Sequence, residues 1–308
     1  MKKNGFRIFL ALLAALSVQT WPVNLVFAGE LLDAIKKTDV QKAAAVIKSK
    51  PESIGEIEKY ETGPLHMAAL KDSTEIIKLL INNKAPVNQL DYFKKTPIFL
   101  AGSVEAAELL ISAGADINVK DKNGNGLLHE SVKGKKAEMV DYYIKKGLDI
   151  NLKNGAGQTP LTLSVENNEF KIFMSLINAG ADVNAKENFF EWSPLHIAVM
   201  NGHKDMAEVL IDKKACIEAA DRYGKTPIHY VKSKDMAEFL ISKKADMAAK
   251  SKKGETIVHS AAAAGNTEAL AYFIDKGFDI NAQDMEGKTP FYNAILHKSK
   301  SAAKLLIE

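Results

Sequence analysis

Cysteine is nearly absent from this sequence. Cys216 stands alone, so no intramolecular disulfide can form and stability has to come from packing. The chain also lacks the short motifs that announce common catalytic chemistry: G-x-S-x-G, H-E-x-x-H, the phosphate-binding G-x-x-x-x-G-K and the dinucleotide glycine pattern. His129-Glu130 is a bare dipeptide without the second histidine a zinc-binding helix needs. Apolar runs are short. The eleven residues 8–18 form one, too short for an ordinary membrane-spanning helix. Surplus charge is missing as well, once the first 28 residues are set aside. They hold three of the 41 basic residues and none of the 38 acidic ones, leaving 38 of each. A balanced chain has no general electrostatic claim on nucleic acid or anionic lipid.

That first segment has its own logic. Lys2, Lys3 and Arg7 give a basic start, the apolar run follows, and Val26-Phe27-Ala28 offers acceptable residues before a cut. The expectation is a secretory signal peptide over 1–28, of bacterial type, which places the mature protein in the periplasm or outside the cell. No stable membrane insertion is expected after cleavage. An uncleaved anchor is the competing reading. No cysteine lies near the cut, which argues against a lipid-anchored form.

The remaining residues, 29–308, repeat themselves. Equivalent starts fall at Gly63, Thr96, Gly126, Thr159, Ser193, Thr226, Thr256 and Thr289, spaced by 33, 30, 33, 34, 33, 30 and 33 residues. In the fifth unit, Pro194 suits the first turn of a helix whose N–H would be unpaired anyway. Leu195, Ile197, Ala198 and Val199 give a first short apolar helix, and Met206, Val209 and Leu210 mark a second. Helices of two or three turns cannot stand alone. Each unit needs its neighbours.

A period of about 33 residues opening on T-P-L-H-x-A marks one repeat class. The chain resembles the ankyrin repeat family at G-P-L-H-M-A-A (63–69), S-P-L-H-I-A (193–198), G-A-D-I-N (114–118) and G-A-D-V-N (180–184). The resemblance implies an all-α, elongated, right-handed solenoid of stacked helix-turn-helix units with hairpin-like finger loops along a concave face. Residues 30–57 show two helical runs without the usual start and are expected to form an N-terminal cap before the eight units. The last unit, with Lys300 and Lys304 facing water, is expected to close the other end.

The units show a higher-order pattern. Their starts recur at an offset of 130 residues, and both 30-residue intervals, from Thr96 and Thr226, fall at equivalent places, which points to duplication of a four-unit block. Three missing residues are nearly one helical turn, so the first helix or its loop should be shortened there, leaving a notch. A small-ligand or catalytic pocket at such a notch is the alternative to a pure binding role.

Several residues read as structural. His66, His129, His196, His229 and His259 recur at the fourth position of their units. Successive units lie roughly 8–10 Å apart, too far for several rings to share one metal ion, and the resemblance assigns them to turn hydrogen bonds. No metal or other cofactor is expected. Asp116, Asp149, Asp182 and Asp279 read as turn residues. Gly114, Gly147, Gly180 and Gly277 suit left-handed helix ends, a place that Lys84, Lys214 and Lys244 take in three other units. The pairs Lys145-Lys146, Lys213-Lys214 and Lys243-Lys244 complement helix dipoles, and Cys216 is expected to be a small buried residue.

The fingers carry the functional signal. Positions beside the turn hold Tyr60, then Tyr92 and Phe93 with Lys95, later Phe189, Phe190 and Trp192, then Arg222 and Tyr223 with Lys225. The other fingers are polar or small. Tyr60 corresponds to Phe190, and Phe93 to Tyr223, under the 130-residue offset. Exposed Trp, Tyr and Arg dominate binding hot spots, and clustered apolar tips need a cover. The expected function is a non-enzymatic scaffold, a monomer that holds a protein partner against these fingers.

Overall fold

The computed structural model describes residues 29–308; residues 1–28, where a signal peptide is expected, lie outside the described residues. All regular structure among the described residues is helical. The chain opens with an antiparallel pair, Glu30–Lys36 and Val40–Ser49, that buries Leu31, Leu32, Ala34 and Ile35. Eight further pairs follow. The first helices of the pairs are Pro64–Leu70, Pro97–Leu100, Leu127–Lys133, Pro160–Glu166, Pro194–Asn201, the 3-10 turn Pro227–Tyr230, Ile257–Ala264 and Pro290–Leu296. The second helices are Thr74–Asn82, Val104–Ser112, Ala137–Lys145, Phe170–Asn178, Lys204–Asp212, Lys234–Ser242, Thr267–Asp275 and Lys300–Leu305. First helices pack on first helices and second on second, in two layers.

Helix starts follow from local chemistry. Proline stands at the first helical position in six of the eight first helices, where its missing N–H costs nothing. The fourth-position histidines do what was expected of them. The Nδ1 atoms of His66, His129, His196, His229 and His259 accept the N–H of the residue that starts their helix, at 3.1–3.3 Å. In four of them Nε2 then donates to the carbonyl of Lys95, Gln158, Lys225 or Lys288 in the next unit. The exception, His229 Nε2, is buried without a partner; it belongs to the unit whose first helix is a 3-10 turn. Four of the five rings thus clasp two units together. No cluster of potential metal ligands exists among the described residues.

Both 30-residue units have first helices of only four residues, as the spacing predicts. The carbonyls thereby left free are Ala101 and Val231. Lys136 Nζ donates to the first at 2.9 Å and Asn266 Nδ2 to the second at 3.2 Å, and these two residues are themselves 130 apart. The notch beside Ala101 retains a cavity of about 10 Å³, room for one water molecule at most.

Two expectations fail. Cys216 is exposed, not buried. It occupies the exposed place held by Asp116, Asp182 and Asp246 in other units, whose carboxylates accept the N–H two residues on; Cys216 keeps the backbone half of that pattern. Cys216 N–H donates to Asn184 Oδ1, as Asp116 donates to Asn88 and Asp182 to Asn151. The C-terminal unit is also less of a cap than expected. Lys300 and Lys304 face water, but Phe291 is 38% exposed where its seven equivalents, from Leu65 to Val258, are at most 2% exposed. Ile295, Leu296 and Ile307 lie open with it, because no further unit stacks there among the described residues.

Candidate interaction surface

Seven of the eight fingers are built on one acceptor at the base; the finger of Tyr60 is closed by backbone alone, Glu58 N–H donating to Thr62 O. Asp91 Oδ1 takes the N–H groups of Phe93 and Lys95, both at 2.8 Å, and Asp121, Asn154, Asp221, Ser251 and Asp284 repeat the pattern. The finger before Ser193 has one extra residue, and its acceptor is Glu187. The longer side chain reaches three N–H groups, those of Phe189 and Phe190 at 2.6 Å and Trp192 at 3.1 Å. Insertion and lengthened acceptor go together. Neighbouring fingers are also stitched by the backbone: Tyr92 N–H to Tyr60 O, Lys122 to Phe93, Arg222 to Phe190 and Lys252 to Tyr223, all at 2.8 Å. The approach is close enough that Gly224, at φ +76°, would place a Cβ 2.8 Å from Lys252 N.

This lattice brings the aromatic candidates together in two groups. Tyr60, Tyr92 and Phe93 form a triangle with ring centroids 5.3–6.1 Å apart, and all three are exposed. Lys122 Nζ stands 4.1 Å from the Tyr92 centroid and Lys59 Nζ 4.9 Å from that of Tyr60, within range of cation–π attraction. In the second group Phe190 stacks on Trp192 at 4.4 Å and tilts against Tyr223 at 6.5 Å. Phe189 projects furthest, 60% exposed, and Arg222 Nη2 donates to Asn188 O at 2.8 Å.

Trp192 is not the open finger tip that the sequence position implied. It is half-buried between Phe190 and the edge of Tyr230, and its Nε1 donates to Tyr230 Oη at 3.4 Å. Tyr230 Oη in turn donates to Asp221 Oδ2. Burial first, and this hydrogen bond second, push the Tyr230 phenol well above its usual pKa, so it stays protonated as the donor. Sequence reasoning missed Tyr230. Its signal is an aromatic closing the second shortened helix, where the first has Leu100.

Below the rings lie two ion pairs with equivalent lysines. Lys95 Nζ meets Glu130 at 2.8 Å and Lys225 Nζ meets Glu255 at 3.0 Å, all four side chains mostly covered. The lysines correspond under the 130-residue offset, but their carboxylates come from different positions in the next unit. Burial works to raise the Glu255 carboxyl, yet Lys225 and Ser251 outweigh it and hold it below the usual range.

Comparison with known proteins now decides the family. The family described as "Ankyrin repeats (3 copies)" matches residues 31–121, 101–187, 180–250 and 230–308. The chain belongs to the ankyrin repeat family. It is 31% identical over 97 residues to protein phosphatase 1 regulatory subunit 27 of Homo sapiens, covering 30% of this chain and 63% of that protein. It is 30% identical over 118 residues to a transient receptor potential cation channel subfamily A member 1 homolog of Caenorhabditis elegans, covering 38% of this chain and 10% of the channel. A putative ankyrin repeat protein of Fowlpox virus is 36% identical over 70 residues, covering 22% and 13%. The chain thus spans less than two thirds of the length of these relatives. Ankyrin repeats are generally protein–protein interaction modules, and no helix among the described residues is long and apolar enough to cross a membrane.

Proposed function

We propose that this ankyrin repeat protein is a non-enzymatic scaffold, exported to the periplasm or beyond, that binds a protein partner along its finger edge. The carrying observation is the pair of ring clusters, with Tyr60, Tyr92, Phe93, Phe189 and Tyr223 all exposed on backbone-stitched loops. Rings held open on a rigid support lose little entropy on contact, which favours binding. The human relative is a regulatory subunit of a protein phosphatase, a role in keeping with binding. The shortened units lend no support to a pocket, because Lys136 and Asn266 reach into them. Export rests on the basic, apolar and small-residue order of residues 1–28.

The test compares variants in capturing a partner from the same compartment. Phe189→Ser with Tyr223→Ser should remove a partner that wild type retains, as expected if these rings are hot spots worth about 2 kcal/mol each. Glu105→Ser with Glu208→Ser, on the second helices, should leave capture unchanged. Equal capture by the ring variant would contradict the assignment.

A further inference from the structure

The molecule is neutral in its described part but not evenly so. The finger tips, residues 59–62, 92–95, 122–125, 155–158, 188–192, 222–225, 252–255 and 285–288, hold nine basic side chains against four acidic, a net +5. The second helices of the eight units hold twelve acidic against seven basic, a net −5. Four of the five finger-base carboxylates do not offset the tips at their surface: Asp91, Asp121, Glu187 and Asp221 are buried and accept backbone N–H groups, while Asp284 is half-buried.

The positive charge is not a continuous stripe. It gathers beside the two ring clusters, which the uncharged finger 155–158 separates. Tyr60 and Phe93 lie 5.5 Å apart with Lys122 on the next finger; Phe190 and Tyr223 lie 6.5 Å apart with Lys252 on the next finger. Each of these residues matches its counterpart at the 130-residue offset. Glu130 and Glu255 already neutralise the covered lysines Lys95 and Lys225, so the charge offered to a partner is that of the exposed Lys122, over the Tyr92 ring, and Lys252, whose Nζ donates to Arg222 O.

We propose that the finger edge carries two equivalent subsites, Tyr60–Phe93–Lys122 and Phe190–Tyr223–Lys252, each taking an apolar side chain flanked by carboxylates from a protein partner. This rests on the finger-edge reading of function and specifies the partner's chemistry. The subsites are four units apart, roughly 32–40 Å at helix-packing distances. A partner occupying both presents two acidic–apolar segments, and the second engagement gains from effective concentration. A polyanion tracking a groove would want unbroken basic charge; two separate basic islands suit discrete acidic segments better.

Isothermal titration of the purified protein with the blocked peptide Glu-Glu-Phe-Leu-Glu-Glu tests it. Two sites are expected, bound about tenfold or more tighter than Lys-Lys-Phe-Leu-Lys-Lys, with affinity falling as salt rises. Lys122→Glu with Lys252→Glu should abolish the preference. Phe190→Ser with Tyr223→Ser should leave one site, and Tyr60→Ser with Phe93→Ser should leave the other. No binding of the acidic peptide, equal binding of the two peptides, a single site, or tighter binding of polyuridylate each overturns the proposal. If the peptides bind alike but the ring variants still abolish binding, the finger edge survives as the interaction surface. If acidic-peptide binding ignores both ring pairs, that wider reading falls too.

Discussion

His66, His129, His196 and His229 are held below the ordinary imidazole pKa chiefly by burial, His229 down to about 4. In the native state they stay neutral, with Nδ1 accepting a hydrogen bond. Unfolding returns them to water, where they bind protons near pH 6.5. Between about pH 4 and 6.5 the unfolded chain therefore holds more protons, so stability rises with pH and is lost as pH falls through that window. The slope is at most about 1.4 kcal/mol per pH unit for each ring. Urea midpoints should drop between pH 7 and pH 5, and less steeply in His229→Gln; a flat midpoint would mean the rings titrate alike folded and unfolded. Trp192 belongs to the same scale. Half-buried against Phe190 and Tyr230, it should lose about 2 kcal/mol of stability on truncation to Ala, less than a fully buried ring. An unchanged urea midpoint would show that the ring stands free. Two residues resisted sequence reading for definite reasons. Cys216 looks like a core residue by type, but the repeat register puts it where neighbours carry aspartate. Tyr230 looks like a core aromatic, yet a four-residue helix places it beside the finger.

At the scale of elements, helix ends and turns were the legible part. The Gly positions at second-helix ends have positive φ, and so do Lys84, Lys214 and Lys244 at +63°, +70° and +69°. A side chain in that region costs on the order of 1 kcal/mol. Lys214→Gly should raise the denaturant midpoint, although losing a helix-end cation gives back some tenths of a kcal/mol. A lower midpoint would place the dominant energy in the lysine's charge. The Glu187 finger was legible only as an extra residue; that its acceptor must lengthen follows from the reach needed to serve three N–H groups. Charge-assisted hydrogen bonds contribute about 1.5–3 kcal/mol. Glu187→Ala should therefore destabilise the protein by about 2 kcal/mol, and Glu187→Asp, one methylene short, by part of that. Equal stability of all three would mean that backbone stitching alone shapes this finger. The filled notches could not be foreseen, since only the fold brings Lys136 to Ala101 and Asn266 to Val231.

At the scale of the whole molecule, the 33-residue period carried nearly all the fold, because each unit contacts chiefly its neighbours and the pattern of one predicts the packing of the next. It could not foretell the open C-terminal face, where Phe291 and Ile295 repeat a buried pattern with nothing stacked upon them among the described residues. Export belongs to this scale as well. N-terminal sequencing of protein from an exporting host should begin at Gly29, and an intact Met1 in the membrane fraction would favour the anchor. The most direct test of the central claim is amide hydrogen exchange on the protein free and bound to its captured partner. If the finger edge is the interaction surface, protection on binding should concentrate at residues 59–62, 92–95, 188–192 and 222–225, with the second helices unchanged. Protection confined to the second helices or to the C-terminal unit would contradict it.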